Sequence, residues 1–329
     1  MDSLASLQFS LAPALASALL HAVWQGALLG LGAWLALAAT ARYSAAVRHA
    51  IGMGFLLAMV LVPASSFVNF WQVPVGVGEA PQRTVGAALG RASADGAFEH
   101  TSSTAPIVLA LLWLLGVAVM LLRHAGGLHL LRVLEKRPFE SLPDDWQQRF
   151  DQLLVAMSIR RKVAARLSND VVGPCTARLL RPVIWLPLSL LTRLPGEQLE
   201  ALLAHELAHI ARMDWLWSGL QCIVESLLFF HPAVWWLSRR IREEREHPCD
   251  DLAVAACGDG LVLAEPPVQL KRHRQPVPRL VLEAQGSPVM KRVMRLLSAP
   301  SSRTPWGARA GIGTVVVAAL DLAVQAGVA

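Results

Sequence analysis

The sequence predicts a multi-pass α-helical membrane protein carrying a cytoplasmic α+β domain. Three observations lead there: long runs without charge, the placement of the basic residues, and a region at 123–309 where strand and helix patterns mix. Of the 329 residues, 54% are hydrophobic and 16% charged, where soluble domains run near 25% charged. No Asp, Glu, Lys or Arg occurs from Ser3 to Ala41, from His49 to Gly78, or from His100 to Leu122. A crossing helix needs about 20 mainly apolar residues, so one is predicted in each run, near 11–39, 49–67 and 105–122. A fourth is predicted at 310–329, where Asp321 costs about 2.5–3.5 kcal/mol on insertion scales. The first run follows Asp2 with no basic residue before it and is too long for a signal peptide, so it reads as an uncleaved anchor.

The net charge of +6 follows membrane topology rather than nucleic-acid binding. Arg42 and Arg48 occupy the first short loop without an acid. Arg123, Arg132, Lys136 and Arg137 follow the third run, and Lys291, Arg292, Arg295, Arg303 and Arg309 precede the fourth. The loop 68–104 balances Arg83 and Arg91 with Glu79, Asp95 and Glu99. Since cytoplasmic loops carry the excess of Lys and Arg, the N-terminus and 68–104 are expected outside, and 40–48 and 123–309 inside. This places the chain in a bacterial-type inner (plasma) membrane. The four cysteines show no CxxC spacing, so reduced thiols are expected rather than a disulfide framework.

Three segments follow: a membrane module at 1–122 with three helices and the external loop at 68–104, a cytoplasmic domain at 123–309, and a fourth transmembrane helix at 310–329. Within the cytoplasmic domain, 144–158 has helical spacing. Val163–Leu167 and Val183–Leu186 read as short strands, the second bounded by Pro182 and Pro187. Leu194-Pro195-Gly196-Glu197 marks a helix start, and Glu197–Met213 follows with Leu199, Leu202, Leu203, Leu207 and Ile210 on one face. The run 215–238 is hydrophobic enough to cross a bilayer, but it contains Glu225, His231 and Pro232.

The chemistry lies in Ala204-His205-Glu206-Leu207-Ala208-His209. Histidines at i and i+4 share a helical face about 6 Å apart, which lets both imidazoles reach one zinc ion. Zinc brings a bound water's pKa near 7, and Glu206 stands beside it as the general base. A third ligand is expected on Arg242-Glu243-Glu244-Arg245-Glu246-His247-Pro248-Cys249-Asp250. Glu246 and Asp250 are four apart, so one can coordinate while the other accepts a proton from a ligating imidazole. Glu243 and Glu244 read as a solvated or headgroup-facing charge run. His209 and the third ligand must meet at one metal, so 215–238 cannot cross the bilayer once. It is buried in the protein, lies in the interface near Trp215, Trp217, Trp235 and Trp236, or makes a hairpin broken near His231-Pro232.

From about Leu179 to Gly258 the chain resembles the BlaR/MecR-type membrane zinc metallopeptidases, the beta-lactam sensor-transducer family. The residues that carry the resemblance are Leu180-Arg181-Pro182-Val183-Ile184, the two-histidine helix, Phe229-Phe230-His231-Pro232-Ala233-Val234-Trp235-Trp236, and Glu244-Arg245-Glu246-His247 running into Cys249-Asp250. His21-Ala22-Val23-Trp24-Gln25-Gly26 in the first helix is also similar. The resemblance implies a gluzincin-like zinc peptidase domain, with His205, His209 and Glu246 as Zn2+ ligands, Glu206 as base, and Asp250 left as the carboxylate behind a ligating imidazole. It implies an endopeptidase of signal transduction cutting a protein substrate, by family analogy a transcriptional repressor or the protein itself, and no direct nucleic-acid contact. No Ser-x-x-Lys acylation motif occurs, so a penicillin-binding sensor domain is not expected. Two departures from the family pattern occur, and the first is the main argument for the alternative of a catalytically impaired signalling scaffold. Pro248 is a helix breaker costing about 3 kcal/mol between Glu246 and Asp250. The segment 265–278 holds four prolines and Lys271-Arg272-His273-Arg274 where a helix is expected. His21 and Gln25 are intramembrane polar residues that are either functional or bond neighbouring helices.

Overall fold

The computed structural model describes residues 2–72, 104–171, 173–177 and 181–257, with side chains from residue 11 onward except Leu134 and Ala177. Most of the expected external loop, the proline-rich segment and the fourth helix with Asp321 lie outside the described residues. Three helices are long and apolar enough to cross a membrane: Leu11–Ala39, Ala45–Trp71 and Ala105–Val133. They belong to α1 (Asp2–Ala39), α2 (Ala45–Gln72) and α3 (Ala105–Glu135). The third does not end at Leu122 as its charge-free run suggested. It continues through Arg123 and Gly126-Gly127 to Glu135, because exposed basic side chains on a helix can extend toward the headgroups without breaking it.

The remainder is an α+β unit. A four-stranded sheet has the order β1-β2-β4-β3, formed by Glu140–Ser141, Ala164–Ser168, Val183–Pro187 and Cys175–Ala177 in that order. The two strands legible in the sequence, β2 and β4, pair in parallel from Ala164↔Val183 to Ser168↔Pro187. Pro187 is tolerated because it sits at the strand's last position. β1 and β3 are two- and three-residue antiparallel additions, too short to show a period. Helices α4 (Asp144–Ala156), α5 (Ser189–Arg193) and α6 (Gly196–Ala211) close over the sheet. Phe150, Leu153, Leu167, Ile184, Leu186, Leu199, Leu203, Leu207 and Ile210 form one core with Ala253.

The run 215–238 is a helical hairpin, α7 (Asp214–Leu227) and α8 (Pro232–Cys257), broken at His231-Pro232. Its tip reaches the middle of the apolar helices. Trp113 Nε1 of α3 donates to Leu227 O at 2.9 Å, Trp235 Nε1 donates to Phe229 O at 2.7 Å, and His231 Nε2 donates to Val23 O of α1 at 3.0 Å. His231 Nδ1 also accepts from the Ala233 amide at 3.2 Å, so His231 caps α8 ahead of a proline at its first position. Irregular backbone at bilayer depth is tolerated where protein groups satisfy its donors and acceptors, and these three side chains serve four polar groups of the turn and its surroundings. Trp235 is therefore committed to the turn rather than to a membrane surface.

α8 is shared between two cores. Its first half packs Val234, Leu237 and Ile241 with Leu29, Leu37, Ile51, Phe55, Leu56 and Met59 of α1 and α2. Its second half contributes Ala253 to the α+β core. The close approach needs glycine. A Cβ at Gly26 would lie 2.6 Å from His231 Nε2, at Gly30 2.7 Å from Ala233 Cβ, and at Gly52 2.8 Å from Ile241 Cγ1. Gln25 Nε2 donates to Ser66 Oγ of α2 at 3.1 Å, and His21 Nδ1 meets Ser17 O at 2.9 Å, so both polar residues of α1 make bonds within the helix layer.

These contacts separate two glycine substitutions. Gly52→Ala should destabilise the detergent-solubilised protein by about 1–3 kcal/mol through overpacking. Gly126→Ala, which meets nothing within 4 Å, should be neutral or stabilising by up to about 1 kcal/mol. Thermal unfolding of the two variants checks the contrast, and equal effects would remove the close-packing account.

Candidate metal centre

α6 supplies the first part of the site. Pro195 starts it, with the Gln198 and Leu199 amides both reaching Pro195 O. The Leu199, Leu203, Leu207 and Ile210 side chains are sunk in the core, which turns the opposite edge of the helix toward α8. On that edge His205 Nε2 and His209 Nε2 face each other at 3.2 Å. Glu246 Oε2 of α8 lies 3.6 Å from the first and 3.9 Å from the second. His205, His209 and Glu246 form a group whose donor atoms all lie within 4.8 Å of one another.

That triangle fits zinc. Tetrahedral ligands at about 2.0–2.1 Å from the ion lie about 3.3 Å apart, close to the three observed edges. The opposite ring nitrogens are occupied as a zinc site requires. His205 Nδ1 is 3.0 Å from Asp250 Oδ1, whose side chain is fully buried, and His209 Nδ1 is 2.7 Å from Asp214 Oδ2. An ionised carboxylate only accepts, so each Nδ1 carries the proton and each Nε2 turns its lone pair toward Glu246.

Asp214 is the carboxylate that the sequence reading missed. It sits five residues beyond His209, and a helix continuing that far would carry it away from the ring. Instead α6 stops at Ala211 and Met213 adopts a left-handed conformation, φ 57° and ψ 37°. The turn brings Asp214 back as the first residue of α7. For a residue with a Cβ this conformation costs about 1–2 kcal/mol. The signal available in the sequence was an acid placed shortly after the second histidine at a helix end. Burial alone would raise the Asp214 carboxyl, but its hydrogen bond and electrostatic contact with His209, the Arg212 guanidinium and the Cys249 thiol hold it below its ordinary value. Cys249 Sγ donates to Asp214 Oδ2 at 3.3 Å. His209, Asp214 and Cys249 are also close enough to share an ion. Burial first, and Asp214 next, push the Cys249 thiol far above its usual range, in keeping with the hydrogen bond it donates to Asp214.

Glu206 is half-buried beside the histidines. Thr176 Oγ1 on the outer strand β3 donates to its Oε2 at 3.3 Å. That contact was not legible, because Thr176 lies 30 residues earlier in a strand of three. The site's chain-level geometry therefore gathers His205, Glu206, His209, Glu246 and Asp250, and adds Asp214, Thr176 and Cys249. The four cysteines are free.

Two expectations are corrected. Glu244 is not part of a solvated run. It is 1% exposed and lies between Arg48 of α2 at 2.7 Å and Arg240 at 2.9 Å. Glu243 is half-buried and pairs with Arg240 at 3.0 Å. Pro248 does not break the helix either, since α8 runs unbroken to Cys257 and Asp250 still reaches His205. Tertiary anchors on both sides of the proline, at Glu244 and Asp250, override its local preference.

A family model described as BlaR1 peptidase M56 matches residues 34–259. The chain is also similar to the regulatory protein BlaR1 of Bacillus licheniformis, with 30% identity over 145 residues that cover 42% of this chain and 23% of that protein. The chain thus matches less than a quarter of that relative's length.

Replacing Asp214 by Asn keeps its shape but not its charge. It should replace a charge-assisted bond to the His209 ring by a neutral one and weaken zinc binding by about 10-fold or more, read by chelator competition. An unchanged affinity would make Asp214 a structural acid only.

Proposed function

The chain belongs to the BlaR1 peptidase M56 family, whose match spans more than two thirds of it, and from that premise we propose that it is a membrane-embedded zinc-dependent endopeptidase with a gluzincin-like site. The reading rests above all on one observation: two Nε2 atoms and a carboxylate oxygen converge while both Nδ1 atoms are held by separate buried acids. In this proposal His205, His209 and Glu246 hold the ion, Glu206 is the general base, and Asp250 and Asp214 orient the two imidazoles. Zinc bound there would supply a Lewis acid that polarises the scissile carbonyl and makes water acidic enough to react near neutral pH.

Glu206 takes the proton from the attacking water and returns it to the departing amine, the exchange expected of a positioned carboxylate. The Thr176 hydroxyl restrains one oxygen of that carboxylate and leaves the other to turn toward the water. β3 is the outer strand of the sheet at the site's rim, so an extended substrate can add to it as a further strand. The substrate is proposed to be a cytoplasmic regulator, by analogy a transcriptional repressor, or the chain itself. The impaired-scaffold alternative drew on Pro248, and the unbroken α8 removes its main argument.

The proposed orientation puts 40–48 and the metal centre on the cytoplasmic side. It is supported by the Arg48–Glu244 pair, which joins the first loop's end of α2 to the ligand-bearing helix. The N-terminus and 68–104 are then outside, 123–309 is cytoplasmic, and 310–329 returns across the bilayer.

Purified protein should hold about one zinc per chain. His205→Ala should lose most of it, whereas Glu206→Gln should keep it and lose at least about 100-fold in self-cleavage or peptide hydrolysis. Zinc retained in the first variant, or full turnover in the second, sinks the assignment. For the orientation, cysteines introduced at Gly173 and at Gly90 should react with an impermeant reagent from opposite sides of the membrane, and labelling from the same side refutes it.

A further inference from the structure

Arg48 holds three parts of the molecule at once. Its Nε and NH2 grip Glu244 Oε2 at 2.8 and 2.7 Å, while its NH1 donates to the backbone oxygens of Tyr43 and Ala41 at 2.6 and 3.2 Å. One guanidinium thereby links the turn after α1, the start of α2 and the middle of α8. The other Glu244 oxygen is taken by Arg240 at 2.9 Å. A carboxylate that is 1% exposed and clamped between two guanidinium groups has little freedom to rotate or slide.

The backbone around Glu244 gives that clamp a purpose. In an α-helix the carbonyl of residue i accepts from the amide of i+4. For Glu244 that partner is Pro248, which has no amide hydrogen. The turn from 244 to 248, with Glu246 at its centre, therefore lacks one of its own hydrogen bonds. Its first residue is tied instead by its side chain to α2. We propose that Arg48 is a positioning residue for the Glu246 carboxylate, acting through Glu244, so that the turn between α1 and α2 sets the metal affinity of the site. The inference rests on Glu246 being a ligand.

Metal ligands must be held within about 0.5 Å of their working positions. A two-residue lever along a helix missing an internal bond passes small movements of Glu244 directly to Glu246. A shift of the membrane helices that draws Arg48 away would loosen the third ligand and leave His205 and His209 on the rigid core of α6. A strut that only stabilises the fold would lower the melting temperature and leave the affinity of the folded protein unchanged.

The test uses the full-length protein in detergent, with zinc affinity measured by chelator competition and the ligand field read from the visible spectrum after cobalt substitution. Arg48→Met should weaken zinc by about tenfold, the lower end of the effect of an outer-shell partner, and should shift the cobalt bands. Arg48→Lys, which keeps the charge but not the two-pronged grip, should lie between; it serves as the readout if Arg48→Met does not fold. Pro248→Ala restores the missing amide and should return most of the affinity lost in Arg48→Met. Unchanged zinc affinity in both Arg48 variants overturns the proposal, and so does a loss that Pro248→Ala fails to reduce. A Glu246→Gln control separates the two premises. If it too leaves zinc affinity unchanged, Glu246 is not a ligand and both readings fall. If it weakens zinc while the Arg48 variants do not, only the lever is wrong.

Discussion

The structure depends on one constraint: α8 belongs to two hydrophobic cores and cannot leave either. Val234, Leu237 and Ile241 are buried among α1 and α2, and Ala253 is buried against the sheet and α6. Between those anchors lie Glu244, Glu246 and Asp250, the acids that meet Arg48 and His205. A helix is stiff over this length, so fixing both ends fixes the acids between them. The candidate metal centre thus lies at the seam where a bundle of apolar helices and an α+β unit share a single element.

The seam also explains the density of buried polar groups on the hairpin. Ser238 Oγ and Arg242 both donate to Glu225, Gln221 donates to Ser238, and Arg245 reaches Ser218. These bonds run between α7 and α8. In a low-dielectric setting a charge such as Glu225 is acceptable only when paired, and here the pairing locks the register of the two helices. Asp214 at the start of α7 inherits that register, and with it the orientation of the His209 ring.

How much of this was legible follows from distance along the chain. The pair at His205 and His209 showed itself because helical spacing alone puts two residues four apart on one face. The helices at α1 and α2 showed themselves as charge-free runs, and β2 and β4 as short apolar stretches between prolines. Asp214 stayed hidden because its position depends on a left-handed Met213 that no propensity favours. Glu244 was misread because Arg48, the partner that draws it under α2, lies 196 residues away; a run of charges on a helix gives no sign of which member is buried. The penalty assigned to Pro248 was sound as local physics, and it failed because both flanking turns are held by tertiary contacts. The break at His231-Pro232 was among the alternatives left open, and the bonds that make it tolerable come from Trp113, Trp235 and Val23.

The glycines at 26, 30 and 52 bear on how the chain is made. They line a seat on α1 and α2, helices that end at Ala39 and Gln72, well before α8 begins at Pro232. The tip of the hairpin has no such seat unless α1 to α3 are already together in the lipid. Because α1 and α2 are made before α8, the seat can be in place before the hairpin that fills it. A fragment beginning after α3 would expose the Phe229–Trp236 tip to water and lose Arg48, one of the two partners of Glu244. The candidate metal centre thus draws on helices far from it in sequence, since Arg48 of α2 holds Glu244 two residues from Glu246.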